Sequence, residues 1–460
     1  MSIKGMELSF LDWIVFIFIL AISFTGAWFY SGYKRKEDSK YVYLPWAVLI
    51  KLAGGGLFTA TFFYWYKVGD TFLYFGGSET LSHYFWENPQ LYFKTILSGS
   101  EETLKLIPGI VYEIPYARTE EEWFMVRILS IFQIISFNNY LLMIFWTSLF
   151  SFIGSWKIFE VFNSWFKNTT RTAFISAFLI PTVIFWSGGI IKDSLVFGMI
   201  GLALHSFYKI LILPDKKIVI HSFLLIFSLW VSFNLKSYIV ISLIPPMFFA
   251  LYVRLKNKLS NPIFKRLAGP ILLIIFGISL SVLVNTLADS SEKYKIDNLE
   301  KQTRGFHTWH VTTGGSAYNL GEIEYTTTGV VSKIPAALNV TFFRPYPWEI
   351  SSPTMALATF ESIIFFVLFI YFLFYRGVKS VRFAWNDPIL GFSILFCFIL
   401  GFAAGFTSYN FGALVRYKMP IMPFAFFLVI YMAQLKWKRA SIFAKSSDST
   451  PAFLSSSSEL

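Results

Sequence analysis

Two acidic residues near the start of a predicted helix could take part in proton transfer. Asp70 directly follows a long apolar stretch, with Tyr74 four residues later and Glu79 nine residues later. A carboxylate at the membrane surface, shielded by aromatic rings, can take a proton from an acceptor hydroxyl. Asp70 could instead cap the helix that starts just after it. Glu79 could either support Asp70 or lie on a polar helix face.

A lysine and an aspartate adjoin in the run PTVIFWSGGIIKDS, where one apolar stretch ends and the next begins. Lys192 and Asp193 are costly near hydrocarbon unless they are paired or hydrated. One interpretation is a phosphate-binding lysine beside an aspartate that positions a sugar hydroxyl. The other is a pair of interfacial side chains that extend toward water and have no further role.

Two arginines at the ends of apolar stretches could bind a phosphate. Arg344 opens the run RPYPWE, which Pro345 and Pro347 stiffen. Arg416 and Tyr417 lie in the run LVRYKMPIMP, directly before the last apolar stretch. A guanidinium group can donate two parallel hydrogen bonds to a phosphate. Each run could also serve only as an anchor at the membrane interface.

Histidines occur in the run RGFHTWH, where His307 and His310 are three residues apart and close to Arg304. This spacing could share a metal ion, but no cysteine or carboxylate cluster completes a ligand set. One histidine acting as a general base is the alternative. The chain contains no Walker loop, GxSxG or HExxH, so ATP hydrolysis and serine or zinc hydrolysis lack their usual signals. We expect no cofactor, and a divalent cation stays open.

The elements that position these residues must be membrane-spanning helices. The 460 residues are 55% hydrophobic, 20% aromatic and only 14% charged, whereas about a quarter of the residues in a soluble protein are charged. The net charge of +12 comes from basic residues next to apolar stretches. Anionic lipid headgroups and membrane topology explain that placement. The distribution therefore favours membrane lipids as partners and argues against nucleic acid.

Eleven apolar stretches approach the length of about 20 residues that crosses the hydrocarbon. The predicted fold is all-α, a polytopic integral membrane protein. Its spans are predicted at residues 13–33, 43–66, 139–160, 173–189, 194–212, 218–234, 238–253, 268–287, 356–375, 388–405 and 420–435. Lys and Arg cluster in alternate links and after the last span, which places the N-terminus outside and the C-terminus inside.

The sequence predicts a single transmembrane domain over residues 1–440 and a disordered cytoplasmic tail over 441–460. Two long external loops are expected, at about 67–127 and 286–354. Aromatic residues recur at near-helical spacing along the first loop, which predicts helices that lie in the membrane interface. The segment 120–137 is expected to be an amphipathic helix that leads into the third span.

The chain resembles the GT-C superfamily of membrane glycosyltransferases, which use lipid-linked sugar donors. Many members carry an acidic residue early in the first large external loop, followed by a helix with an Asp/Glu-x-x-x-Tyr pattern, as Asp70 and Tyr74 do here. The turn before Lys192 and Asp193 is also similar to bacterial members. So is the Arg-Tyr-x-x-Pro-x-x-Pro run that starts at Arg416.

The resemblance implies an enzyme of the bacterial inner membrane that transfers a sugar from a polyprenyl-linked donor to a lipid, glycan or protein acceptor. Asp70 would be the catalytic base. Arg344, Arg416 and Lys192 would stabilise the leaving phosphate. The chain departs from the family in its additional first span and in having Thr71, rather than a second acid, after Asp70.

Two other classes of function stay open. A surface-polysaccharide polymerase or ligase would also have many spans, a large outer loop and essential arginines. It would rely on Arg304 and the histidines at 307 and 310 rather than on Asp70. A transporter or an export-machinery scaffold is the non-enzymatic alternative. Transporters normally place polar residues in mid-span, where Lys51 is the main exception here.

The alternating basic links predict the topology. Reporter fusions after residues 38, 215, 260 and 445 should all report a cytoplasmic location, because each follows or lies in a link rich in Lys and Arg. Paired alkaline phosphatase and fluorescent-protein fusions measure this. Five basic residues cluster over 254–266, so a periplasmic signal at residue 260 would overturn the topology.

Overall fold

The computed structural model describes residues 7–262, 316–321 and 326–435, together with the positions 267, 269–271, 274, 277 and 324. Over these residues the secondary structure is helical, apart from one isolated bridge between Ala317 and Asn410. Eight helices in this part of the chain are long and apolar enough to cross a membrane. The predicted class, an all-α polytopic membrane protein, is therefore confirmed.

The first two spans lie side by side. Helix α1, Phe10–Lys34, begins at a capping box in which Ser9 and Asp12 exchange hydrogen bonds. Helix α2, Leu44–Ala60, continues through a π-helical turn, Thr61–Tyr66. Helix α1 leaves most of its apolar side chains on the outer surface, whereas α2 is largely buried. Helix α1 is therefore peripheral, and α2 belongs to the interior of the bundle.

The first long link is helical, as predicted, but it contains five helices where two interfacial helices and the lead-in segment 120–137 were expected. They are α3 (Asp70–Glu87), α4 (Pro89–Leu97), α5 (Ser100–Leu106), α6 (Ile110–Glu113) and α7 (Glu120–Ser136). Helices α3 and α7 pack on each other, and Leu81 and Trp123 on them are fully buried. Helix α7 leads into the next span, α8, Tyr140–Trp165, so this link is packed against the bundle.

The fourth predicted span, residues 173–189, is divided into two short helices. They are α9, Thr170–Phe178, and α10, Pro181–Trp186. The sequence explains the break, because Pro181 has no N–H to donate and disfavours helical backbone at the residue before it. Ile180 is accordingly extended, with φ −76° and ψ 123°. The prediction of one continuous helix missed this proline effect.

A close contact of glycines brings the end of α10 against α2. A Cβ atom on Gly188 would lie 2.7 Å from the Cα atom of Gly55, so a larger residue would displace the backbone. The turn that contains Gly188 leads into α11, Lys192–Phe207, which continues through a π-helical turn, Tyr208–Ile212.

The sixth and seventh predicted spans form one helical run that folds back on itself. Helix α12, Ile218–Lys258, has non-helical backbone inside it at Lys236 (φ −154°, ψ 83°). His221 hydrogen-bonds the loop after α11, and Arg254 lies within electrostatic range of Tyr208 near the same end of α11. Lys236 instead contacts the start of α11. The run is therefore a hairpin whose two arms correspond to the two predicted spans.

The described part of the second long link packs against helices of the bundle, and the predicted placement of residues 286–354 outside the membrane stays a prediction. Its described part contains α13, Thr327–Ser332, and α14, Ile334–Phe343. The Thr341 hydroxyl on α14 donates to the carbonyl of Gly401, at 2.7 Å, inside the bundle. An apolar helix that ends inside a bundle is stable only where protein surrounds its backbone ends. Polar Gly- and Thr-rich residues earlier in the link concealed this apolar helix in the sequence.

The C-terminal helices complete the described bundle. They are α15 (Pro353–Trp385), α16 (Pro388–Thr407), α17 (Phe411–Lys418) and α18 (Met422–Gln434). Helix α15 breaks at Gly377, whose φ of 58° suits a residue without a Cβ atom. The last predicted span, 420–435, is thus preceded by the separate short helix α17. The predicted span 268–287 falls almost entirely, and the tail 441–460 entirely, outside the described residues.

Aromatic rings fill the interior between these helices. Phe162 of α8 stacks on Phe427 of α18 with ring centroids 3.9 Å apart. Phe392 and Phe396 of α16 pack against Phe424 of α18 in the same region. The core of the bundle therefore accounts for part of the high phenylalanine content.

Candidate functional site

Arg416 joins two carboxylates at one end of the bundle. Its guanidinium group donates to Asp70 at 3.1 Å and to Asp193 at 3.1 Å. The guanidinium carbon lies 5.6 Å from the ring centroid of Trp186, a cation–π contact. Three of the residues singled out from the sequence are thus brought together.

The starts of two helices carry the carboxylates to this point. Asp70 is the first residue of α3, and Asp193 lies in the first turn of α11. The partial positive charge at a helix N-terminus stabilises carboxylates there. The N-cap residue of α3 is Gly69, and no side chain caps this helix. The capping role considered for Asp70 is therefore wrong, and its carboxylate faces Arg416 instead.

The two carboxylates differ in exposure. The side chain of Asp70 is 45% exposed, whereas that of Asp193 is 2% exposed. A buried carboxylate must be neutralised by nearby cations, so Asp193 holds Arg416 in place from below. Asp70 contacts Arg416 from the solvent side and stays partly exposed.

Lys236 is a site residue that sequence reasoning missed. Its ammonium group donates to Asp193 at 2.5 Å, and its side chain is only 9% exposed. It lies at the non-helical turn of α12, and its Nζ atom is 4.9 Å from the ring centroid of Tyr417. A lysine between two predicted spans was the available signal. It was passed over because the link is so short.

Two tyrosines shield the exposed carboxylate. The hydroxyl of Tyr116 donates to Asp70 at 3.2 Å, and its ring lies 4.7 Å from that of Tyr74. Burial raises the pKa of both tyrosine hydroxyls, and the Asp70 charge also raises the pKa of Tyr116. Both tyrosines therefore stay protonated at neutral pH. Tyr116 acts as a hydrogen-bond donor that helps to orient Asp70.

Lys192 faces away from its neighbour Asp193. Its ammonium group is 2.7 Å from Glu122 and 3.5 Å from Glu121 at the start of α7. Burial raises the pKa of Glu122, but the Lys192 charge outweighs this, so the pKa of Glu122 is lowered. Lys192 thus connects α11 to α7, and two glutamates already neutralise its charge.

Arg344 forms a separate cluster next to this site. Its guanidinium group is paired with Glu349, with the Nε atom at 3.1 Å from each carboxylate oxygen. It also lies over the rings of Tyr318, Tyr346 and Phe411, the last at 5.0 Å. The cluster therefore holds the RPYPWE turn in a fixed shape. It uses much of the hydrogen-bonding capacity of Arg344.

The two arginines lie on the same side of the bundle. Arg344 contacts Phe411, at the start of the short helix α17 that also carries Arg416. The turn after Arg344 is linked to the chain just before Asp70, since the hydroxyls of Tyr66 and Thr354 are 2.7 Å apart. Arg344 makes no direct bond with Asp70 or Arg416 among the contacts of the described residues.

The remaining predicted residues lie outside this network or beyond the described ranges. Glu79 lies about 13 Å along α3 from Asp70, and burial raises its pKa. Arg304, His307 and His310 are outside the described residues, so the predictions about them stay predictions. Within the described ranges no group of three or more His, Cys, Asp or Glu residues could hold a metal ion.

An apolar cavity of about 400 Å³ lies beside the Arg344 turn. Its wall includes Phe342 and Phe343, the two residues before Arg344, together with Phe365 and Phe369 of α15. Helices α16 and α18 form the other wall, where Cys397 is found. The cavity suits an aliphatic chain, because apolar side chains line it.

This fold and site define a polytopic helical membrane protein with a charged site at one end of its bundle. No protein-family model matches the sequence, and no curated protein or solved structure is significantly similar to it. The GT-C resemblance accordingly rests on the motif residues themselves.

The arrangement can bind an anion and accept a proton at adjacent positions. A phosphate could contact both Arg416 and Lys236. Both cations are held on their buried side by Asp193. Asp70 is an accessible carboxylate on the other side of Arg416. A phosphate bound at the two cations, with a hydroxyl group beside it, would bring the phosphate to Arg416 and Lys236 and the hydroxyl to Asp70 at the same time.

The difference in exposure predicts different stability effects. Asp193→Asn should destabilise the folded protein by about 3–5 kcal/mol, because it leaves buried cations without their counter-ion. Asp70→Asn should cost at most about 1 kcal/mol, because its pair is partly exposed to solvent. Thermal unfolding in detergent micelles measures both. Equal losses for the two variants would contradict the assigned burial.

Proposed function

We propose that this protein transfers a sugar from a polyprenyl-linked donor to a lipid, glycan or protein acceptor at the outer face of the membrane. The observation that carries the proposal is the pairing of Asp70 with Arg416. Asp70 is an accessible carboxylate, and Arg416 is a cation held on its buried side by Asp193. Such a pair can separate base and leaving-group functions within one site.

The proposed step is a single displacement at the anomeric carbon. The acceptor hydroxyl oxygen forms a bond to that carbon while the bond from the carbon to the phosphate oxygen breaks. The electron pair leaves with the carrier phosphate, and the hydroxyl proton goes to Asp70. The donor phosphate competes with Asp70 for Arg416, so donor binding itself frees the base.

The cations have unequal roles in this proposal. Arg416 and Lys236 share Asp193 and are the main candidates for the leaving phosphate. Arg344 is paired with Glu349, so it acts mainly by fixing the turn beside the site. Lys192 is satisfied by Glu121 and Glu122, which leaves it a structural link rather than a phosphate ligand.

The apolar cavity supports a lipid-linked donor. It lies among long apolar helices and has Phe342 and Phe343, the two residues before Arg344, in its wall. A polyprenyl tail in this cavity would place its phosphate near the Arg344 turn and the helix that carries Arg416.

The proposed location is the bacterial inner membrane, with the site and the N-terminus outside and the C-terminus inside. The links at the end of the bundle opposite the site are rich in Lys and Arg, which the positive-inside rule associates with the cytoplasmic face. There Lys40 and Lys157 pair with Glu160, and Lys209 pairs with Asp215.

Loss of the base should block the transfer. In cells that lack the native copy, Asp70→Asn protein should accumulate the lipid-linked donor, because the acceptor hydroxyl is no longer deprotonated. Mass spectrometry of extracted lipids measures the donor. Immunoblotting must show wild-type amounts of the variant in the membrane. Glu87→Gln, at the exposed far end of the same helix, is the matched control and should restore normal donor levels.

Unchanged donor turnover by abundant Asp70→Asn protein would remove Asp70 from the mechanism. The same cells then distinguish the alternative. If His307→Ala or His310→Ala accumulates donor while Asp70→Asn does not, the polymerase or ligase interpretation is favoured. If none of these variants changes any lipid-linked sugar, an enzyme of this class is excluded.

Arg416 should tolerate lysine poorly. Arg416→Lys keeps the charge but cannot contact two groups with one planar fork, so release of the carrier phosphate should fall at least about tenfold, or about 1.4 kcal/mol. Arg344→Lys should have a smaller effect, because Arg344 is paired with Glu349. Turnover in nanodiscs of the donor found in the lipid extracts measures both. The reverse order would contradict the assigned roles.

A further inference from the structure

Two helices end inside the bundle, and each end is satisfied by a buried charge. Helix α10 begins at the break before Thr182, whose backbone N–H donates to Glu361 at 2.8 Å. Helix α14 ends at Arg344, whose carbonyl accepts from Lys418 at 3.4 Å and from Ser362 at 3.1 Å. These backbone groups would otherwise be unsatisfied in an apolar environment.

The signs of the charges match the helix ends. Glu361 is at the N-terminus of a helix, where negative charge is favourable, and Lys418 is at a C-terminus, where positive charge is favourable. The two side chains are wholly buried, with 0% exposure each, and the Nζ and Oε1 atoms are 3.9 Å apart. The two charges are therefore paired without a hydrogen bond between them, while each residue hydrogen-bonds one helix end.

This pair touches the three segments that surround the candidate site. Lys418 lies two residues after Arg416 on α17. Thr182 lies one turn before Trp186, whose ring contacts the Arg416 guanidinium group. The Arg344 carbonyl belongs to the turn that holds the second arginine. No other ion pair in the described part of the chain connects these segments.

We infer that Glu361 and Lys418 are positioning residues that hold α10, α14 and α17 at one buried joint. The joint fixes the position of Arg416 relative to the Arg344 turn. Neither residue reaches the surface, so both act through the groups they hold. The consequence for phosphate binding rests on the proposed function. The contacts that form the joint do not depend on it.

Matched variants separate positioning from general stability. Glu361→Gln and Lys418→Met each leave one buried charge unpaired and should lower the thermal unfolding midpoint in micelles. The double variant removes both charges with little change in volume, which is often neutral for stability. It should therefore return to a midpoint near that of the wild type. Lys418→Arg keeps the charge and serves as the conservative control.

Hydrogen exchange tests the joint directly. In the double variant the amides of α17 and of residues 346 and 348–350 should exchange at least tenfold faster than in the wild type, because the Lys418 bond from α17 to the Arg344 carbonyl is lost. Amides of α8 serve as the internal reference and should not change. Lys418→Arg should keep the slow exchange of the wild type. Wild-type exchange in both segments of a stable double variant would overturn the inference.

Binding of inorganic pyrophosphate, measured by calorimetry in micelles, tests the consequence for the site. Pyrophosphate should bind the double variant at least tenfold more weakly than the wild type. Equal affinity, with faster exchange, would show that the joint does not position the cations and would overturn that part of the inference. If the wild type binds no pyrophosphate, the phosphate site of the proposed function fails, whereas the exchange result still decides the joint.

Discussion

The neutralisation of Asp193 is the interaction on which the rest of the site depends. A carboxylate that is 2% exposed at the end of an apolar bundle requires cations within contact distance. It obtains them from two separate places, Lys236 at the turn of the α12 hairpin and Arg416 on α17. Those contacts tie three helices together. They leave the other terminal nitrogen of the Arg416 guanidinium group directed at Asp70.

The rule that a buried charge needs a partner of opposite sign applies at a second place in the bundle. There the ends of two helices supply part of the partnership. In transporters with broken helices, the half-helix ends face substrate or ions. Here the end of α14 and the start of α10 face Lys418 and Glu361 from the chain itself. These two buried charges therefore hold helix ends together.

The sequence predicted the class of fold because length and apolar composition alone decide it. It also identified Asp70, Asp193 and Arg416, since charges at span ends are conspicuous in an apolar chain. It could not pair them, because residues 70 and 416 meet only through tertiary packing. Lys236 was missed because the link that contains it is so short. The proline break was readable from Pro181 itself, whereas the packing of α14 into the bundle depends on contacts with distant residues, which no local pattern reveals.

The cavity wall contains the one cysteine of the chain, Cys397, whose thiol is free and 7% exposed. A chain with a single thiol, placed beside an apolar cavity, carries its own labelling site there. Lipophilic thiol reagents would reach it only from the hydrocarbon, and water-soluble ones would be excluded. Protection of this sulfur would report occupancy of the cavity in the unmodified protein, without any introduced residue.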